Sequence, residues 1–569
     1  MLLFVSPVGS PCSRSCAALA GARLSGGRPR LRRPARVTIT CDARESQTVP
    51  SFSSLDKYGG DKRASNPNVV PATSPFVDGI KSVAVGKYGT RPLPEELVPL
   101  LLASLKSVPG GADVVEPHPD YLRRAAFLGA LFVKASILSH EAPLLAACAA
   151  PAWVAGPDRG PGTCTAGEVL AFACVGEATL PSDESAALRG SPLWAFALAL
   201  LAGEPLDASA AERLGGLLYS TLSPAVQPYA LPLKCLIAHV MRIRHESSAE
   251  LIGLNRAITA QTVAPVLSGP SAATRRVIQL AEPFDGVRAC GSELLTPLLA
   301  DRLAARHDAA VVLGVGASGG PKYGPNLETV CAALGVPAVT DASLLPGTVS
   351  SLSQRDAAPG VAAWTPLRRA ILKRPALATL EKYVGVMPQP APDAPAPGAG
   401  VLFVGSAFHQ SYVSKMQDVA EAAGYVGYVI VQRGAEGSIG AAISARAPAQ
   451  VLVGRRCRSL SPSDGSPSLE TTYEHRSFTV GLSSAGFDDF DIAALIATRE
   501  RLAKTATSVD RNVALLRDWK QSLQRRAADV SDEQALFNAR VRTTFVYLDA
   551  AVSWAYGATD EVLPLDAKL

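Results

Sequence analysis

The sequence predicts an α/β protein in which a helical N-terminal domain is followed by a mostly parallel sheet flanked by helices. Three observations predict it. Residues 93–265 carry apolar positions at helical spacing almost throughout. From about residue 275, short apolar runs alternate with helical stretches, the pattern of parallel strands joined by crossover helices. Between these regimes, residues 282–335 read in order as an acidic turn, a helix, an apolar strand, a Gly-rich loop with one lysine, and a second helix. That order brings backbone N–H groups and a helix N-terminus toward an anion. At 569 residues the chain is too long for a single core, so two or more folded units are expected.

The N-terminal elements come first. Residues 1–41 contain seven arginines and no acidic residue, among many Ser, Ala, Gly and Pro. Such a leader matches an organelle transit peptide, because it lacks the long apolar core of a secretory signal. Its Val37-Thr-Ile-Thr-Cys41 ending resembles that of chloroplast leaders, and the mitochondrion is the alternative destination. The leader also carries the basic balance: the chain is formally +5 and the leader +7, which leaves the remainder at −2. A remainder so close to neutral has no strong electrostatic claim on nucleic acid. Residues 42–92 are rich in Ser, Gly, Pro and Asn without apolar periodicity, and read as a disordered arm.

The helical domain, 93–265, opens with Leu93-Pro-Glu-Glu-Leu-Val and continues through Tyr121–Leu138. A second passage runs from Leu206 to Glu246, with Leu236, Val240 and Ile243 on one helical face. Ser247-Ser-Ala-Glu250 is a capping-box pattern that should start the next helix, with Leu251, Leu254 and Ile258 facing inward. The passages 93–148 and 206–260 resemble each other, so a duplicated helical unit is an expectation. The longest apolar run, Pro192–Ala202, falls short of the roughly 20 residues of a membrane span and reads as a buried helix.

The α/β domain, 275–569, offers Ala309–Gly314, Val401–Gly405 and Val426–Gln432 as strands, with a helix at Gln410–Ala423. A Pro-rich insertion at 387–400 reads as a polyproline-like connection, and 457–476 as a polar insertion. The close, Asp491 to about Tyr556, is helical.

Several of these segments carry a family resemblance. Ala238-His-Val-Met-Arg-Ile-Arg-His-Glu-Ser-Ser-Ala-Glu-Leu-Ile-Gly253 resembles the helical domain of glycosyltransferase family 3, the group that contains anthranilate phosphoribosyltransferase. There an Arg-x-Lys-Gly-Glu-x-x-x-Glu-Leu-x-Gly string precedes the active-site half. Residues 282–335, 401–440 and the Leu536-Phe-Asn-Ala539 helix extend the likeness across about 205–556. It implies a nucleoside phosphorylase/phosphoribosyltransferase type of fold. It also implies transfer of phosphoribosyl from phosphoribosyl diphosphate to an aromatic amine, as in tryptophan biosynthesis, with Mg²⁺, and a homodimer formed through the helical domain.

The resemblance then assigns residues. The family's Gly-Thr-Gly-Gly-Asp-Gly loop corresponds to Ala281-Glu-Pro-Phe-Asp-Gly286, where Pro283 and Phe284 remove N–H access and add bulk. Asp285 and Gly286 are the retained diphosphate-turn residues, and Asp285 is also the candidate metal ligand; the alternative is an Asp-Gly turn capping the next helix. Thr296 matches a Ser/Thr position that helps hold metal in the family, while its place before Pro297 reads as an N-cap. In the second loop, Gly314-Val-Gly-Ala-Ser-Gly-Gly-Pro-Lys-Tyr-Gly324, the expected phosphate-binding residues are Gly316, Ser318, Gly319, Gly320 and Lys322. Lys322 stands as a point charge for a missing Lys, Asn and Arg. Arg374 matches the arginine that meets the acceptor's carboxylate, with a surface basic cluster as the alternative. Val429-Ile-Val-Gln-Arg-Gly-Ala-Glu-Gly437 resembles the family's Val-x-His-Gly-x-Asp-Gly turn, but Ile439-Gly-Ala-Ala442 replaces the acidic pair that holds a second Mg²⁺.

No catalytic residue is assigned. The Gly314-x-Gly-x-x-Gly319 string is a weak dinucleotide fingerprint, since Pro321 and Pro325 delay the helix it requires. Ten cysteines show no Cys-x-x-Cys or zinc-finger spacing; three lie in or beside the leader, and the others, mostly among apolar neighbours, read as buried thiols. The rival reading is a non-catalytic protein of the same fold that binds nucleic acid or another phosphorylated ligand. Its groove would be built from Arg275, Arg276, Arg288, Arg302, Lys322, Arg368, Arg369, Lys373 and Arg374.

Overall fold

A computed structural model of the chain describes residues 74–84, 91–108, 119–134, 137–149, 164–178, 180–220, 227–263, 275–320, 322–340, 344–386, 399–443, 449–461, 468–480, 491–525 and 529–559. The segment expected to be a transit peptide, most of the expected arm and residues 387–398 of the Pro-rich insertion lie outside them.

The first element corrects the arm. Helix α1 (Pro75–Val83) is capped by Ser74 and buries Phe76, Ile80 and Val83. Phe76 meets Phe127 at 5.9 Å between ring centroids. Its 76/77/80/83 spacing is helical, but nine residues are too few to stand out in a Ser/Pro/Gly-rich background.

The helical region continues with α2 (Leu97–Ser107), α3 (Pro119–Phe132), α4 (Ala166–Val175), α5 (Ser182–Gly190), α6 (Pro192–Leu201), α7 (Ala208–Leu218), α8 (Gln227–Ile243) and α9 (Ser248–Gln261). The apolar run is α6, packed on α8. No helix among the described residues is long and apolar enough to cross a membrane. Helix α3 lies close against α8: a β-carbon on Gly129 would stand 2.7 Å from Leu236 Cγ.

The repeated pattern in the sequence has a repeated contact behind it. Glu141 accepts the N–H of Leu93 and of Leu138 and pairs with Lys134. Glu250 accepts the N–H of Leu206 and of Ser247 and pairs with Arg244. In each passage a buried carboxylate fastens a cation and its own helix start to the leucine that opens the passage. The capping box expected at Ser247 and Glu250 is one half of the second knot.

The sheet has the order β3-β2-β1-β4-β5-β6-β7. Its members are β1 (Arg276–Ala281), β2 (Ala310–Val315), β3 (Val349–Ser353), β4 (Gly400–Ala407), β5 (Gly427–Gln432), β6 (Ala449–Ser461) and β7 (Ser468–Val480). Strands β1 to β5 pair in parallel, and β6 and β7 continue the sheet antiparallel. Helices α10 (Thr296–His307), α11 (Leu327–Leu334), α12 (Thr365–Ile371) and α13 (Gln410–Ala422) fall between the parallel strands. The chain closes with α14 (Ile492–Leu502), α15 (Val509–Ser522) and α16 (Asp532–Ala555). One core joins Leu280, Val311, Leu402, Val404 and Val429 of the sheet to Leu299 of α10 and Trp519 and Trp554 of the closing helices. Asn512 binds the N–H and C=O of Leu294, which ties α15 to the loop after β1.

Two sheet segments differ from expectation. Residues 457–461 and 468–476 of the expected polar insertion instead belong to β6 and β7, which pair in register from Ala449↔Val480 to Ser461↔Ser468. Strands at a sheet edge need only one apolar face, so a polar composition does not mark a loop there. Strand β1, which the sequence did not announce, carries a polar residue in its middle: Gln279 is fully buried and donates to the Lys382 carbonyl.

The connectivity then places the crevice. From β1 the chain moves outward through β2 to β3, and β4 and β5 lie on β1's other side. The strand order therefore reverses between β1 and β4, the position beyond whose C-terminal strand ends open α/β sheets bind ligands.

Candidate functional site

Four segments meet beyond the strand ends: the loop after β1 (282–295), the Gly-rich loop after β2 (316–326), residues 368–382, and the turn after β5 (433–437). Glycines make the first two interlock. Val287 donates to the Pro325 carbonyl at 2.9 Å. A β-carbon on Gly324 would stand 1.7 Å from the Val287 oxygen, and one on Gly286, at φ +73°, 2.3 Å from the Pro325 oxygen. Asn326 caps α11 and also donates to the carbonyls of Phe284 and Gly316. The helix therefore starts at Leu327, beyond the string that a dinucleotide site would need it to overlap.

The expected site residues largely converge. Asp285, 2% exposed at its side chain, pairs with Arg374, whose side chain is 36% exposed. Lys322 donates to the carbonyl of Gly286, next to Asp285, at 3.3 Å. It also donates to the Glu436 carbonyl and stands 3.5 Å from the Glu436 carboxylate. Burial pushes the Lys322 ammonium below the usual lysine range; Asp285 and Glu436 oppose that and Arg374 adds to it. Ser318 offers its carbonyl to Arg369, and Gly320 its carbonyl to Arg368.

The glycines are packed against side chains of the chain itself. A β-carbon on Gly316 would lie 2.4 Å from the Phe284 ring, on Gly319 2.9 Å from the Arg368 guanidinium, and on Gly320 2.4 Å from the Tyr323 ring. Beneath them, Arg368 pairs with Glu381, which burial pushes up and Arg368 draws down. Lys382 donates to the Ser406 carbonyl at the end of β4, and burial lowers it to about 8. Four cations (Lys322, Arg368, Arg374 and Lys382) thus meet three carboxylates (Asp285, Glu381 and Glu436) here.

Thr296 stands apart, and its N-cap reading is corrected. The N-cap position of α10 is Leu295, and Thr296 is fully buried within the helix start. Its hydroxyl donates to Glu282, which also accepts from Ser438 Oγ at 2.8 Å and Ile439 N at 3.2 Å. Burial raises the Glu282 carboxyl, and these donors hold it down. Arg374 is likewise not part of an open basic cluster, being paired with Asp285. His409 occupies the N-cap position of α13 without a side-chain capping bond.

The cations proposed for a nucleic-acid groove are committed to different elements. Arg302 stacks on Trp519 and Arg276 on Tyr556, while Arg368 and Arg374 hold ion pairs. Among the described residues no group of three or more His, Cys, Asp or Glu is arranged to hold a metal. Asp285 offers a single carboxylate, and Ile439 and Gly440 add none, so the residues do not match a two-cation set.

Sequence reasoning missed Glu436, Glu381 and Lys382. Only Glu436 carried a signal, as the acid in the Arg-Gly-Ala-Glu-Gly turn. The other two sit in an ordinary amphipathic stretch.

No protein-family model matches the chain, and no curated protein does. Among solved structures it is similar to anthranilate phosphoribosyltransferase from Thermus thermophilus, at 16% identity over 64% of this chain and 90% of that one, with a TM-score of 0.42. It is also similar to the Saccharomyces cerevisiae enzyme in complex with PRPP and Mg, at 10% identity over 66% and 92% of the two chains, with a TM-score of 0.44.

Proposed function

We propose that this chain binds a phosphorylated small molecule in the crevice between β1 and β4, with phosphoribosyl diphosphate as the first candidate, and that it does so without transferring the phosphoribosyl group. The observation that carries the reading is the meeting of Asp285, Lys322 and Arg374, from three separate segments, at the strand ends. Two cations beside a loop of backbone N–H groups suit a diphosphate, and the guanidinium can take two of its oxygens at once.

Loss of transfer is supported by what fills the crevice. Phosphoribosyl transfer needs the diphosphate held and its departing charge neutralised in a fixed geometry. Phe284 stands at a glycine position of the resembled first loop with its ring packed on Gly316, and the second acidic pair is replaced by Ile439 and Gly440. Magnesium would then be held mainly by the ligand's own oxygens, with Asp285 as its one protein carboxylate.

Calorimetry of the full chain with phosphoribosyl diphosphate, with and without Mg²⁺, tests the binding. The expected result is a saturable heat in the micromolar to millimolar range. No heat at millimolar ligand would sink the site. Adding anthranilate and following its fluorescence tests the rest, and steady consumption with release of diphosphate would show that transfer to an aromatic amine survives.

A further inference from the structure

The turn after β5 holds an unusual pairing of strain and charge. Arg433, Glu436 and Gly437 all have positive φ, at 61°, 51° and 88°. Only the last has no β-carbon to pay for it. What Glu436 gains in this conformation is a seat: its Oε2 accepts the N–H of Arg288 at 2.9 Å, and its Oε1 the N–H of Ala289 at 2.7 Å. The Lys322 ammonium stands 3.5 Å from the same carboxylate.

We propose that the Arg288 and Ala289 N–H groups, with Lys322, form an anion seat that Glu436 occupies from within the chain and that a phosphate group takes over when it binds. Two successive N–H groups aimed at one anion, with an ammonium beside them, are a donor set suited equally to a carboxylate and to a phosphoryl group. A phosphate dianion brings more charge and a third acceptor oxygen, so it competes well for such a seat. The occupant is able to leave. The Glu436 side chain is 21% exposed, and its left-handed backbone is one a non-glycine residue holds only when its contacts compensate. Departure would leave the Arg288 and Ala289 N–H groups without this acceptor and Lys322 without its nearby carboxylate, which favours exchange over simple vacancy.

The seat adjoins the crevice through Lys322, which donates to Gly286 next to Asp285. A ligand with two phosphoryl groups can reach both Arg374 and this seat; a monoester or inorganic phosphate can take the seat alone. The inference rests on the crevice being a phosphate-ester site, and it adds that occupancy is contested by a carboxylate of the protein itself.

The test uses inorganic phosphate as the probe and calorimetry of the full chain as the readout. Glu436→Gly removes the carboxylate and suits the left-handed backbone, so it should fold; Glu436→Asn, also tolerant of that conformation, is the second variant. Phosphate should bind either variant about tenfold or more tighter than the natural chain, a shift far outside the scatter of such measurements. The gain should vanish in the Glu436→Gly, Lys322→Ala double variant. A smaller gain, or one that survives loss of Lys322, overturns the proposal. Phosphoribosyl diphosphate on the same proteins separates this from the crevice reading. If the natural chain binds it and Glu436→Gly gains nothing for phosphate, the seat falls and the crevice stands. If the variant gains phosphate but neither protein binds phosphoribosyl diphosphate, the crevice reading falls and the seat stands.

Discussion

The ring of Phe284 lies against the backbone of Gly316, so close that a β-carbon on the glycine would be 2.4 Å from it. The contact locks the loop after β1 to the loop after β2, and Phe284 is 3% exposed. Phe284→Ala should therefore destabilise the protein by roughly 3–5 kcal/mol, the range for deleting a buried phenylalanine. It should also tighten phosphoribosyl diphosphate binding by opening the loop. Urea unfolding and calorimetry on one sample check both; equal or weaker binding would show that the ring does not stand in the ligand's path.

On the proposed reading, Arg374 would meet the ligand's charge and Asp285 its magnesium. Arg374→Ala should weaken phosphoribosyl diphosphate binding about tenfold or more, by loss of a charge-assisted contact and exposure of the Asp285 carboxylate to the diphosphate. Asp285→Asn should leave binding without magnesium intact or improved while removing most of the enhancement by Mg²⁺. A titration of each variant at two Mg²⁺ concentrations distinguishes these outcomes from a general loss of structure.

The paired knots at Glu141 and Glu250 predict matched losses. Each carboxylate is almost fully buried and holds a cation and two backbone N–H groups. Removing one partner of such a group typically costs about 3–5 kcal/mol. Glu141→Ala and Glu250→Ala should fall in this range, with Glu141→Ala the larger because Lys134 is 3% exposed and Arg244 20%. A loss below about 1 kcal/mol at either site in urea unfolding would mean that its knot is not holding the passage together.

Lys382 makes stability depend on alkaline pH. Burial lowers its folded value to about 8, against an unfolded value near 10.4, although Glu381, Glu282 and Asp285 attract its charge and Arg374 repels it. The folded protein therefore binds fewer protons than the unfolded chain between these values. Burial's penalty is fully present below about pH 8 and is relieved as pH rises toward 10.4, so this group's contribution improves with pH across that window. The stability difference between the natural chain and Lys382→Met should grow in favour of the natural chain by up to about 3 kcal/mol from pH 7 to 10.5. A flat difference across that range would mean that Lys382 titrates as if exposed.

Much of the fold was legible. Strands β2, β4 and β5 are apolar enough on both faces to announce themselves, and the Ser247–Glu250 box marked the start of α9. Strand β1 was not, because Gln279 interrupts it and finds its partners in the distant Lys382 carbonyl and Tyr425 hydroxyl. Strands β6 and β7 read as an insertion because their residues gain their partners from each other. In the site, Asp285 and Arg374 were named through the family resemblance, and Lys322 as the lysine of the Gly-rich loop. Glu381 and Lys382 were hidden, since nothing local to a sequence shows that a Glu-Lys pair lies under a crevice.

By itself the sequence determined which segments are helical or apolar, where the glycines fall, and that Pro283 and Phe284 stand in the first loop. Those follow from local propensity and periodicity, which need no partner. Only the tertiary structure decided that the charges of the crevice are paired with one another and that Glu436 sits on the N–H groups of Arg288 and Ala289. Those pairs join residues from 13 to 148 positions apart, and which charge meets which is set by how the strand ends converge.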